Sequence, residues 1–121
     1  MTDLHEITAG SLIPAEKVID TSVYNAAGEK LGSIEDIMID KISGRSVYAV
    51  LAFGGFLGLG HKHYPLPWSV LDYSQEKAGY VVDLDKEQLK NAPGYDEPVD
   101  WTPTYGRQVD AYYKTPSNWI D

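Results

Sequence analysis

The sequence contains no cysteine, which excludes disulfides and thiolate metal sites. It is short of positive charge. Ten Lys and Arg stand against eighteen Asp and Glu, for a formal net charge of -8. Gripping a phosphate backbone needs clustered cations. The basic residues here are scattered, so neither nucleic acid nor an anionic membrane surface is an expected partner. Long hydrophobic runs are also missing. The longest uncharged stretch, Ser46 to Gly60, is too short for a spanning helix and carries four glycines near its end. No basic segment followed by an apolar run lies between Met1 and Ile13, so no signal peptide and no membrane insertion are expected, and a cytoplasmic location is.

Catalytic signatures are absent as well. Ser69, in Pro67-Trp68-Ser69, has no Gly-x-Ser-x-Gly elbow and no paired base, and reads as the cap of a helical turn. Trp68 beside it reads as a core plug. Gly55 to Gly60 has the Gly-x-x-x-x-Gly spacing of a phosphate loop, which needs Lys followed by Ser or Thr, but here His61 precedes Lys62 and His63 follows it. Phe56 and Leu57 are wrong for a polar cradle. They suit a tight connection between strands or an apolar docking tip. No catalytic residue and no cofactor is nominated, and the chain is read as a non-enzyme.

What is present is the pattern of one mainly β domain. The 121 residues are 43% apolar and 23% charged, enough for one core. Val18 to Tyr24 is rich in β-branched residues and predicts a strand. Asn25 to Glu29 is a turn, with Gly28 suited to positive φ. Lys30 to Asp40 is a strand whose apolar parity shifts between Ile34 and Ile37, which predicts a bulge near Glu35-Asp36. Lys41 to Arg45 is a turn, and Ser46 to Phe53 a strongly apolar, central strand. His61 to Pro67 is a short strand that Pro65 and Pro67 make irregular or confine to an edge. Trp68 to Leu71 is a helical turn, Asp72 to Gly79 a polar hairpin turn, and Tyr80 to Leu84 the last strand. Asp85 caps a short helix, with Gln88 as its capping-box partner. Five or six short strands with tight turns argue for a small barrel or sandwich.

From Pro93 the composition changes. Six aromatics and four prolines follow before Asp121. Thr102 and Pro103 predict a helix start, with Tyr105, Val109 and Tyr112 on one face. So aromatic a tail is expected to dock, either on the barrel or on a second copy. Two further clusters hold polar chemistry. His61 and His63 point the same way on a strand and read first as exposed edge histidines; given more ligands, they could share a metal ion. Glu35, Asp36 and Asp40 read as solvated surface charge.

The stretch Val18 to Ala92 resembles the PRC-barrel family. The resemblance lies in Gly28-Glu29-Lys30-Leu31-Gly32, Ile34 to Asp40, Val47 to Leu51, Gly54 to Gly60, and the Tyr64-Pro65-Leu66-Pro67-Trp68-Ser69-Val70-Leu71 segment. It implies a small β-barrel. Such barrels occur in the H subunit of photosynthetic reaction centres, in the ribosome maturation factor RimM and as free-standing bacterial proteins, with docking onto larger assemblies as the shared theme. The expected organisation is an N-terminal arm over 1–15, a PRC-type barrel with a short C-terminal helix over 16–92, and an aromatic-rich extension over 93–121. The expected function is a binding or assembly module that docks on a protein complex or self-associates, as a homo-oligomer such as a dimer. Its expected interaction residues are Phe56, Leu57, Trp101, Tyr105, Tyr112, Tyr113 and Trp119. The alternatives are a small-molecule or metal-binding domain centred on His61 and His63, or an accessory protein of photosynthetic electron-transport assembly.

Overall fold

A computed structural model describes residues 12–53, 62–96 and 101–116. Six strands form one sheet: β1 (Ser22–Asn25), β2 (Lys30–Ile39), β3 (Ser46–Phe53), β4 (Lys62–Pro67), β5 (Asp72–Ser74) and β6 (Gly79–Val82). Among the described residues, three α-helices accompany them: α1 (Ala15–Val18), α2 (Lys86–Lys90) and α3 (Pro103–Tyr112). The sheet order is β4-β3-β2-β1-β6-β5, antiparallel throughout except for the parallel β1–β6 pair.

Chain geometry requires this sheet to curl. Five strand spacings would put β4 and β5 about 24 Å apart in a flat sheet. The link from Pro67 to Asp72 reaches at most about 18 Å even when extended. Here it is shortened further by a 3-10 turn at Trp68–Val70. The two edges must therefore approach one another, as in a barrel. Trp68, just after β4, reaches the far side of the sheet, its ring 5.8 Å from that of Tyr80 on β6, the neighbour of β5.

The core inside the curl is built from Val18, Val23, Leu31, Ile34, Ala49, Leu51, Tyr64, Leu66, Tyr80, Val82, Leu89 and Ala92. Strand β3 explains its own continuous apolar run. Ala49 and Leu51 face this core, while Tyr48 and Val50, equally buried, face the other way. A strand covered on both faces needs no polar alternation.

Several predicted elements hold. Gly28 takes φ +90° in the β1–β2 turn. The register of β2 on β3 slips between Ile34 and Asp36, so Glu35 is the bulged residue. Asp85 and Gln88 form a full capping box. Strand β4 is an edge strand, but a regular one. Only alternate residues of an edge strand aim their backbone groups outward. On β4 these are His63, Pro65 and Pro67, so the missing proline N–H groups cost the β3–β4 ladder nothing.

Other expectations need correction. Val18 to Tyr24 is not one strand. Pro14 and the good helix formers Ala15-Glu16-Lys17 start a helical turn that ends at Val18, and β1 begins only at Ser22. Asp72 to Gly79 is not all turn, because Asp72–Ser74 pairs with Gly79–Val81 as β5. Ser69 lies inside the 3-10 turn and does not cap it, since Pro67 occupies that position. Strand β3 is interior but lies next to the edge strand.

Candidate interaction site

The outer face of β3 and β4 is where the extension sits. Thr102 accepts the Tyr105 N–H and Pro103 opens α3, as the sequence predicts. The buried face is rotated from the predicted one. It is Gly106, Val109 and Asp110, with Tyr113 next in the same i, i+3, i+4, i+7 stripe, while Tyr112 lies largely outside. An acidic residue at a core position hides this stripe from a hydrophobicity count.

Asp110 is 2% exposed and its Oδ1 accepts the Tyr48 hydroxyl at 2.9 Å. The same hydroxyl lies 3.3 Å from the Gly106 carbonyl. Trp101 packs on the Tyr48 ring at 5.1 Å and edge-on to Tyr105 at 5.4 Å. Tyr95 anchors the near end. Its N–H and C=O exchange two hydrogen bonds with those of His63, at 2.9 and 2.8 Å, adding one rung to the edge of β4. Its ring stacks on the His63 imidazole at 5.1 Å. The Tyr112 hydroxyl donates to the Gln88 carbonyl, tying α3 to α2.

His63 Nδ1 also contacts the Glu35 carboxylate. The β-bulge causes this meeting. An extra residue on β2 re-aims the Glu35 side chain across β3 toward β4. The expectation of a freely solvated Glu35 is thus corrected, and only the bulge itself signalled it. Asp36 and Asp40 instead bind backbone nearby: Asp36 accepts the Ile37 N–H, and Asp40 accepts the Ile42 N–H and the Ser43 hydroxyl. Those bonds hold the exposed Asp40 carboxyl below its usual range, the one from Ile42 contributing most. They also fix the β2–β3 turn, at which Ile42 stands 89% exposed.

Burial of the seated aromatics raises their phenols. Tyr105 is pushed up to about 12, mainly by desolvation, with Tyr95 adding to it. Tyr113 is raised for the same leading reason. Tyr95 is raised by desolvation and then by the charges of Glu35 and Asp36. The Tyr105 and Tyr113 hydroxyls are buried without a hydrogen-bond partner among the described residues.

Of the predicted interaction residues, Trp101 and Tyr113 lie against the barrel, Tyr105 packs edge-on to Trp101 and Tyr95 within the extension, and Tyr112 is exposed apart from its bond to Gln88. Phe56, Leu57 and Trp119 fall outside the described residues, as does His61 of the predicted metal pair. Among the described residues, no group of three or more potential ligands converges on one point, and no helix is long and apolar enough to cross a membrane. Sequence reasoning missed Tyr48, Asp110, Glu35 and the pairing role of Tyr95. The buried outer face of β3 was the available signal, because Tyr48 and Val50 required a cover.

No curated protein matches the chain. A family model for the PRC-barrel domain matches residues 11–89, more than half of the sequence and the whole of the curled sheet. The strand pattern, the Pro-Trp-Ser link that turns β4 toward β5 and this match agree, and the chain belongs to the PRC-barrel domain family.

Proposed function

We propose that this protein is a non-enzymatic binding and assembly module of the cytoplasm, which self-associates or docks on a larger protein complex. One observation carries the reading. The outer face of β3 and β4 already acts as a receptor for a Tyr- and Trp-rich helical segment, using a buried acceptor, ring stacking and an added backbone rung. Aromatic anchors in desolvated pockets are the usual energetic centre of protein interfaces. Light scattering of the full chain over a wide concentration range, together with sizing of the tagged chain in native lysate, tests it. Mass above the monomer in either setting supports the module. A monomer in both overturns it.

The contact between Glu35 and His63 favours a second reading, a metal- or small-molecule-binding domain that would also use His61. Zinc titration of the wild type against a His61→Ala, His63→Ala double variant decides this. Equal uptake by the two removes the second reading.

A further inference from the structure

The barrel and its extension are held by different means. Every buried member of the barrel core lies between Val18 and Ala92, and Tyr113 is the one described residue of the extension that packs against that core. Within the described extension, Gly106, Val109 and Asp110 are fully buried. Val109 is therefore the one aliphatic side chain there that docking takes wholly out of water. Apolar burial is the main offset to the chain entropy lost on ordering, and the extension has little of it. Two of its polar groups act the other way. The Tyr105 and Tyr113 hydroxyls are buried with no hydrogen-bond partner among the described residues. Water would satisfy both in an undocked segment, so each favours release.

The contacts of the extension are nonetheless linked to one another. Tyr95 exchanges its two backbone bonds with His63, and its ring stands edge-on to Tyr105 at 6.4 Å. The Tyr105 ring meets Trp101 at 5.4 Å, and Trp101 packs on Tyr48 at 5.1 Å. The Tyr48 hydroxyl then donates to Asp110 in α3. Loss of one link uncovers the next, so the rung on β4 and the helix over β3 share one fate. The barrel, by contrast, gives up no member of its inner core when they leave. Parts of a fold with few buried apolar contacts open at lower free energy than the whole.

We infer that Tyr95 and residues 101–113 form a strap that opens from its own barrel as one unit while the six-stranded sheet stays folded. Opening makes Tyr48 and the edge of β4 accessible, so the strap sets when the outer face of the barrel can be reached. The device stands whether or not the barrel has a partner.

Two adjacent amides on β4 give the test. The His63 N–H donates outward to the Tyr95 carbonyl, whereas Tyr64 pairs with Leu51 on β3 and Leu66 with Ala49. Native-state amide hydrogen exchange is followed by NMR on the full chain in rising, sub-denaturing urea. The amides of His63, Tyr95, Gly106 and Tyr113 are expected to exchange through one shared opening, with protection at least about tenfold below that of Tyr64 and Leu66. Equal protection of His63 and Tyr64 overturns the inference, because the segment then opens only with the barrel. Separate openings for Tyr95 and Gly106 overturn it too, because the segment then frays piecemeal. Tyr48→Phe gives a second reading. It should lower protection of the strap amides at least about fivefold and leave Tyr64 and Leu66 as they were. An equal fall in both sets, or no fall in the strap, overturns the inference. Should Tyr48→Phe fail to fold, the wild-type comparison of His63 with Tyr64 decides alone.

Discussion

Tyr48 and Asp110 lie 62 positions apart in sequence, yet the hydroxyl of one donates to the buried carboxylate of the other at 2.9 Å. This bond joins the outer face of the barrel to the extension. A hydrogen bond to a charged group contributes about 1.5–3 kcal/mol, and a buried group left unpaired costs a similar amount. Asp110→Ala is therefore expected to weaken tail docking by about 1–3 kcal/mol. A double-mutant cycle with Tyr48→Phe, read by denaturant unfolding, should return a coupling energy of at least about 0.5 kcal/mol. Strict additivity would show that the bond contributes nothing.

Tyr113 presents the opposite case. Its hydroxyl is buried with no partner among the described residues. Removing an unpaired polar atom while keeping the ring is close to neutral or stabilising. Tyr113→Phe is expected to leave stability unchanged or raise it by up to about 1 kcal/mol. A loss beyond that in thermal unfolding would reveal a hydrogen bond at this hydroxyl.

Gly94 separates the tail from the barrel in a single substitution. The methyl of Gly94→Ala would press on the ring of Tyr64, which is itself buried. Overpacking of this kind costs about 1–3 kcal/mol. Undocking the segment is the cheaper relief, because the barrel core remains intact. The expected signature is a red-shifted Trp fluorescence as Trp101 leaves Tyr48, with the far-ultraviolet strand signal retained. Unchanged fluorescence contradicts it.

Alkaline pH should act on the same seam. The Tyr105 phenol is raised to about 12, and those of Tyr95, Tyr113, Tyr64 and Tyr80 are raised as well. Groups raised in the folded state leave its stability intact below their unfolded pKa, about 10 for tyrosine. Above that value the unfolded chain ionises first, so stability falls as pH climbs from about 10 toward 12. Denaturant midpoints measured across this window should drop, and Tyr105→Phe should flatten part of the drop. A flat wild-type profile from pH 9 to 12 would contradict the burial of these rings.

Much of the barrel was legible because local signals agreed. Gly28 marked its turn, the parity slip after Ile34 marked the bulge, and Asp85 with Gln88 marked a helix start. The site was less legible, for two physical reasons. A bulge tells that a side chain is re-aimed, not what it meets, so the contact of Glu35 with His63 is a fact of strand order. A core stripe that includes Asp110 is invisible to a hydrophobic count, because its burial depends on a hydroxyl far along the chain. Val18 to Tyr24 failed differently. There, β propensity lost to a helical turn started by Pro14.

The parallel pairing of β1 with β6 also fixes an order of events. Val23 lies opposite Tyr80, so the first strand waits for nearly the whole domain before its second neighbour arrives. The β2–β3–β4 meander needs only local contacts and can assemble early, whereas closure is a long-range step and the slower one. During synthesis an open meander would stand exposed with a free edge on each side. On the β4 side, Pro65 and Pro67 leave little there for a neighbouring nascent chain to pair with. The prolines that shape one border of the finished sheet thus also shield its unfinished form.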